Sequence, residues 1–232
     1  MDAESRSGSK VSSTIEDYLQ AIYSMEMEGE MVISARLARR MRVSAPTAWA
    51  TVQRMARDGL VSLNEKRAIT LTDKGRALAE EIVRRHRLAE RFLMDILGFG
   101  WAECHEEAHR FEHALSPRLE ERIIALLGNP THCPHGNPIP GSGGTLDPHL
   151  IPLASLQVGQ EAVVGFISEE LEEDMELLCY LERGRIMPGR RVRVRELVKA
   201  SDLLVVESDG QAVPLGLKVA QRIKVRPVQP GS

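Results

Sequence analysis

The stretch Ile33–Val61, ISARLARRMRVSAPTAWATVQRMARDGLV, decides the fold. Ser34 stands where a short helix through Met41 would take its cap. The helical period breaks at Arg42–Val43, and Ser44 caps a second helix through Asp58. Pro46 falls in the first turn of that second helix, where its missing amide donor leaves no hydrogen bond unmade. Two short helices with a tight joint predict a helix-turn-helix. Gly59 ends the pair, and LVSLNEKRAITLT, residues 60–72, alternates apolar and polar side chains around a charged tip at Asn64–Arg67, the pattern of a two-stranded hairpin. Upstream, Ile15, Tyr18, Leu19, Ile22 and Met25 form one helical stripe, with Ser13 or Thr14 as cap and Glu16 completing a capping box with Ser13. Helix, helix-turn-helix and hairpin together predict a winged helix over 13–73.

Charge supports a role for that unit. The chain has 232 residues, is 43% hydrophobic and carries a formal charge of −3. That sum excludes a uniformly basic nucleic-acid coat but not a local basic face. Between Val32 and Leu71 the cations are Arg36, Arg39, Arg40, Arg42, Arg54, Arg57, Lys66 and Arg67, against Asp58 and Glu65 only. A recognition helix needs short polar side chains at its N-terminus and cations on its flanks, and Ser44, Thr47 and the arginines supply both. The alternative is a winged helix used for protein contact.

Beyond the hairpin, a long helix capped by Thr72 or Asp73 runs through KGRALAEEIVRRHRLAERFLMDIL, with Leu78, Ile82, His86, Ala89 and Leu93 near one face and Gly98 and Gly100 at its end. A helix over 103–115 follows, then SPRLEERIIALLGNP, opened by Ser116 and Pro117 and closed by Gly128. These make a helical region over 74–129. Residues 130–150 are rich in Pro and Gly without periodicity and read as a linker. From 151 to 228, the runs EAVVGFI, RRVRVREL, LLVVES and RIKVRPV, with one acidic helix at EELEEDMELLCYLERG, predict a small β-barrel. The fold class is mainly α with a small β module. Residues 1–12 read as disordered. Three scattered cysteines, Cys104, Cys133 and Cys179, point to a reducing cytoplasm, and no apolar run is long enough to span a bilayer.

HEEAH, His105 to His109, matches H-E-x-x-H, in which two histidines hold zinc and the glutamate acts as base. That reading also requires a third ligand and a substrate cleft, and nothing else in the chain asks for a cleft. On the same helix His109, Glu112 and His113 differ by three and four positions and share a face. His105 lies one turn earlier, rotated by about 40°. Imidazoles and carboxylates at this spacing predict a metal site; a metal-storage or interaction module is the remaining alternative.

STIEDYLQAIY, LARRMRVSAPTAWATVQRMARDGLV, TDKGRALAEEIVRRHRLAERFL, HEEAHRFEHALSP and CPHGNPIPG, in that order, resemble the diphtheria toxin repressor family of metal-dependent bacterial transcription regulators. The resemblance covers nearly the whole chain after residue 10. It implies an N-terminal winged helix, a helical dimerisation and metal-binding region and a C-terminal SH3-like domain. It further implies a homodimer on double-stranded operator DNA, with Mn(II) or Fe(II) as corepressor at metal-uptake genes. By position, the primary site takes Asp17, His109, Glu112 and His113, with Gln20 left open, and the ancillary site takes His86, Glu90 and His105. Glu173, Asp174 or Glu176 are candidates to complete the ancillary site. Iron-type members carry methionine at Asp17 and cysteine at His109; manganese-type members share the aspartate, and His109 matches neither branch. Carboxylate and imidazole in place of sulfur make the site harder, which suits Mn(II) first and Fe(II) next. Ser44, Pro46 and Thr47 match DNA-contacting positions, whereas Trp49 and Ala50 replace small polar residues. Trp49 either touches a thymine methyl or packs on the wing. Arg36, Arg54 and Arg57, with Lys66 and Arg67 on the wing, are the expected phosphate contacts. In THCPHGNPIP, His132, Cys133 and His135 invite a zinc reading, but no second ligand pair is near in sequence, and the segment reads as a loop.

Overall fold

The computed structural model describes residues 11–228. They form two compact units, one ending at Val83 and the other beginning at Arg84.

In the first unit, α1 (Ser13–Met27), α2 (Ser34–Arg40) and α3 (Ala45–Arg57) precede the antiparallel strands β1 (Val61–Leu63) and β2 (Ile69–Leu71), paired Val61 to Leu71 and Leu63 to Ile69. The next helix, α4 (Asp73–Asp95), contains the boundary between the units. Tyr18, Leu19 and Ile22 of α1, Leu37 of α2, Val52 and Met55 of α3 and Ile69 of β2 share one core. Full burial of side chains this size contributes about 1.5–3 kcal/mol each. Ser44 caps α3 as expected, its Oγ accepting from Thr47 N at 3.3 Å. Two caps sit one residue earlier than the sequence suggested. Ser12 precedes α1, its carbonyl accepting from Ile15 N and Glu16 N, and makes no side-chain cap. Ile33 precedes α2 because its extended backbone bridges Ala68 of the wing, which puts Ser34 inside the helix. Of the segment expected to be disordered, residues 1–10 lie outside the described residues, while Val11 packs against the core. Gly75, in the first turn of α4, is required by contact: a Cβ there would lie 1.9 Å from the Leu60 carbonyl oxygen.

The second unit contains the rest of α4, then α5 (Glu103–Phe111) and α6 (Pro117–Leu126), the latter capped by Ser116 Oγ accepting from Leu119 N. The expected continuous helix over 103–115 instead tightens into a 3₁₀ turn at Glu112–Ala114. Next come β3 (Ile151–Pro152), β4 (Glu161–Ile167), α7 (Glu169–Glu172), α8 (Met175–Arg183), β5 (Arg191–Val198), β6 (Leu203–Ser208), β7 (Gln211–Gly216), α9 (Leu217–Arg222) and β8 (Ile223–Pro227). One antiparallel SH3-like sheet, ordered β3-β8-β4-β5-β6-β7, carries the strands. The single acidic helix of the sequence reading is two helices, divided where Asp174 caps α8 by accepting from Leu177 N.

The segment read as a linker is ordered and partly buried. Cys133, His135, Asn137 and Ile139 are all within 5% of full burial. Ile167 N donates to His135 O at 2.9 Å, and Asn137 Nδ2 donates to Ile167 O at 3.0 Å, so the loop docks on the end of β4. Gly136, at φ +88°, permits this approach: a Cβ would sit 2.2 Å from Gly165 O. No helix among the described residues is long and apolar enough to cross a membrane.

Candidate metal centre and nucleic-acid face

Docking of the 133–139 loop places a polar cluster in the interior of the second unit. From α4, His86 and Glu90 lie one turn apart with 1% and 0% exposure. His86 Nδ1 bonds Glu112 Oε2 at 2.5 Å, and its Nε2 is 3.1 Å from Glu90 Oε1 and 3.2 Å from His105 Nδ1. His105 Nδ1 bonds Glu90 Oε1 at 2.8 Å and lies 3.3 Å from Glu172 Oε2. His135 donates Nε2–H to the Trp101 carbonyl at 3.1 Å, leaving Nδ1 directed at Glu90 Oε1, 3.1 Å away, and at Glu172 Oε2, 3.8 Å away. On the other side, Glu112 Oε1 is 4.0 Å from His109 Nδ1 and 3.5 Å from His113 Nε2.

Within the second unit the structure brings together His86, Glu90, His105, His109, Glu112 and His113 of the expected ligands; Asp17 belongs to α1, in the first unit. The structure adds His135, which the sequence reading places in a loop, and Glu172, which that reading does not name. Glu172 sits one position before the named Glu173, Asp174 and Glu176, all three of which are exposed. Glu169 and Glu172 belong to a charge run that reads as solvated, yet both are buried because partners far along the chain meet them. Arg87 Nη2 pairs with Glu169 Oε1 at 2.5 Å, and Asn137 Nδ2 donates to Glu172 Oε1 at 2.8 Å. His132 is no ligand: Nδ1 bonds Thr131 Oγ1 and Nε2 bonds Thr145 O.

Electrostatics follow from this packing. Burial opposes charge on His86, but the Glu90 and Glu112 carboxylates outweigh it and hold its pKa well above the imidazole range. His135 behaves alike: burial is overcome by Glu172 and Glu90, and its pKa rises to about 9. Burial raises Glu172 to about 8, whereas Glu90, despite the same burial, is held low by His135 and His86. Burial, with His86 and His105 as like-charged neighbours, pushes His109 down to about 2. Burial together with Glu90 and Glu172 pushes the Cys133 thiol up, so it remains protonated.

Five buried atoms here make no hydrogen bond: Glu90 Oε2, His105 Nε2, His109 Nε2, Glu112 Oε1 and His135 Nδ1. Buried polar atoms in folded proteins are almost always paired, and each left unpaired costs about 1–3 kcal/mol. All five are nitrogen or carboxylate oxygen atoms of residues that group as candidate ligand sets, so the residues present fit a divalent cation coordinated by nitrogen and oxygen. They do not fit a peptidase. Glu106, the would-be base of HEEAH, is 55% exposed and pairs with Arg110, outside the cluster.

In the first unit, Ser44, Pro46, Thr47, Ala50, Arg54 and Arg57 are exposed on α3. Ser44 Oγ and Thr47 Oγ1 share a hydrogen bond of 2.7 Å, and Thr51 Oγ1 donates to Thr47 O. Trp49 is half-buried against the core and lies under Arg67 of the wing, whose Cζ is 5.5 Å from the ring centroid. Arg67 adopts φ 58°, in a wing tip closed by Asn64 Oδ1 accepting from Ala68 N at 2.9 Å. Arg36 is drawn toward Glu30, 3.7 Å away, while Arg54, Arg57 and Lys66 are exposed.

A winged helix with a basic reading face, joined in one chain to a buried imidazole and carboxylate cluster, defines a metal-responsive DNA-binding regulator. The family comparisons agree over most of the chain. Residues 10–69 match the model for "Iron dependent repressor, N-terminal DNA binding domain", 72–141 that for "Iron dependent repressor, metal binding and dimerisation domain", and 151–227 that for the FeoA domain. The iron-dependent repressor IdeR of Mycobacterium tuberculosis is 40% identical over 225 residues, covering 93% of this chain and 97% of that protein. The diphtheria toxin repressor of Corynebacterium efficiens is 36% identical over 223 residues, covering 93% and 96%. Among solved structures, a manganese-dependent transcriptional repressor in complex with manganese superposes with TM-score 0.80 at 38% identity, covering 92% of this chain and all of that one. ScaR with bound zinc gives 0.77 at 32%, covering 92% and 99%. The chain belongs to the diphtheria toxin repressor family of metal-dependent, DNA-binding transcriptional repressors. Its relatives are named as repressors, not enzymes, and its matched domains indicate operator DNA and dimer formation.

Proposed function

We propose that this chain is a cytoplasmic homodimeric repressor of metal-uptake genes, activated by Mn(II) or Fe(II). The observation that carries the reading is the set of five buried nitrogen and oxygen atoms without hydrogen bonds. The relatives are named for iron and a structural neighbour for manganese, and the donor set here, free of sulfur, suits both hard ions. Two ligand sets are proposed. His109, Glu112 and His113, joined by Asp17 through its position in the family pattern, form the regulatory set. Glu90, His105, His135 and Glu172, with His86 beside them, form the ancillary set; their donor atoms lie within 4.8 Å of one another in the four-residue group. A bound divalent cation supplies positive charge that neutralises carboxylates otherwise crowded together. The residues do the rest. Trp101 O orients His135 and Asn137 orients Glu172, as outer partners commonly do for metal ligands. Asp17, on the helix that packs with α2 and α3, couples the ligand set to the reading head.

On the DNA side, Ser44, Pro46 and Thr47 face the groove, Arg54, Arg57, Lys66 and Arg67 contact phosphate with Arg36 at the margin, and Trp49 supports the wing. Exposed Ile96, Leu97, Leu119 and Leu126, 40–60% accessible, supply apolar surface for a dimer contact. The test is a gel shift on the gene's own upstream DNA and on metal-transport promoters, with Mn(II) or Fe(II) added. His113→Ala is expected to abolish metal stimulation while size-exclusion still shows a dimer. Unchanged stimulation removes this ligand set from the mechanism.

A further inference from the structure

His86, His105 and His109 form a set that neither ligand assignment above uses as a unit. One ring nitrogen from each lies within 4.8 Å of the others. Their ring centroids form a near-equilateral triangle with sides of 4.9, 4.5 and 4.8 Å. Two of the three pairs meet edge-on, at 76° and 86°, and the third, His86 with His109, is tilted at 49°, so the rings do not stack as an aromatic core would. Two of the three have their other nitrogen committed to a carboxylate: His86 Nδ1 to Glu112 Oε2 at 2.5 Å and His105 Nδ1 to Glu90 Oε1 at 2.8 Å. That arrangement fixes ring orientation, the pattern that supports imidazole ligands to metals; it leaves Nε2 of His105 without a hydrogen bond, whereas Nε2 of His86 also lies 3.1 Å from Glu90 Oε1, a contact that a bound cation would displace. His105 Nε2 and His109 Nε2 are buried without any hydrogen bond, and His105 itself is only 4% exposed.

We propose that His86, His105 and His109 form a three-imidazole site for a borderline-soft divalent cation, of the zinc, cobalt or nickel class, which shares its ligands with the carboxylate-rich sites for manganese or iron and is occupied in their place. Imidazole ligation favours these ions, which stand above manganese and iron in affinity order, while oxygen-rich sets favour the harder ones. The proposal goes beyond the regulatory reading and does not depend on Asp17. It has a built-in consequence. His105 faces Glu90 and Glu172 with Nδ1, and His109 faces Glu112 with Nδ1, so each ring belongs to two sets. A neutral imidazole offers one lone pair at a time, so a zinc-class ion here withdraws ligands from both carboxylate-containing sets.

The test uses the full-length chain stripped of metal and titrated with Co(II) alone, whose visible absorption is intense in a low-coordinate nitrogen site and weak in a six-coordinate oxygen-rich one. The wild type is expected to develop the intense band, keep it under excess Mn(II) and lose it to Zn(II). His109→Gln is expected to lose it, and Asp17→Asn to retain it. X-ray absorption on the zinc-loaded wild type, which needs no variant to fold, should show three imidazoles. A weak band, its loss to Mn(II), its persistence in His109→Gln, its loss in Asp17→Asn, or fewer than three imidazoles overturns the site. Failure of the regulatory reading is separate: it would appear as unchanged manganese stimulation of operator binding by Asp17→Asn.

Discussion

The two polar regions of this molecule solve opposite problems. On α3 and the wing, charge is held at the surface: Arg54, Arg57 and Lys66 are exposed, and local hydroxyl and cation–π contacts set the geometry. Around Glu90, charge is held inside, in a cluster whose atoms are close yet incompletely paired. Surface cations cost the fold little and are available to phosphate. Buried donors without partners cost the metal-free fold a good deal and are available to a cation. The difference teaches that the interior cluster gains from its ligand in stability as well as in function, whereas the reading head gains only in binding.

The contrast can be broken at its strongest point first. Glu90→Ala leaves His86, His105 and His135 without their shared carboxylate, and removing one member of a buried charged group costs about 3–5 kcal/mol. Urea denaturation of the metal-free chain should show a loss of that order, and a variant as stable as the wild type would mean the cluster is solvated. The second break is pH. His135 is raised to about 9 and Glu172 to about 8, with His86 raised too, so the native state holds protons that the unfolded chain releases earlier. His135 therefore stabilises fully below its unfolded pKa, about 6.5, and that contribution is lost as pH rises through about 9. Ionisation of Glu172 through about 8 acts in the same direction. Thermal melts of the metal-free chain should fall between pH 6.5 and 9, and a flat or rising Tm would show the shifts are absent.

On the surface side the effects shrink. Arg57→Ala should weaken operator binding across sequences and flatten the log–log salt slope by about one unit, with no change in Tm; an unchanged slope takes Arg57 off the phosphate contact. Trp49→Ala removes a cation–π contact worth about 0.5–1 kcal/mol, so operator affinity should fall about two- to fivefold through a looser wing. A change in base preference without a change in affinity would instead make Trp49 a base reader.

How much of this was legible depended on how local the cause was. Ser44 and Ser116 announced α3 and α6 because a cap is decided within four residues. The wing and most strands of the C-terminal sheet showed through alternation. The 3₁₀ turn at Glu112 did not, since nothing in HEEAHRFEHAL interrupts the helical period. The loop around His135 and the run holding Glu169 and Glu172 were misjudged for one reason. Composition called the first solvated linker and the second solvated helix, but Arg87, Asn137, Gly165 and Ile167, which bury them, are remote in sequence. The one available signal was chemical: a histidine in CPHGNPIP and glutamates just after β4 are metal-donor types.

The central claim is that metal held by the interior donors and DNA held by the reading head favour each other. Binding linkage makes this reciprocal, and the most direct measurement is the Mn(II) affinity of the full-length chain with and without saturating operator duplex. The account predicts that the duplex tightens Mn(II) binding about 5–150-fold, by the same factor as Mn(II) tightens duplex binding. Equal Mn(II) affinity in the two conditions would contradict it.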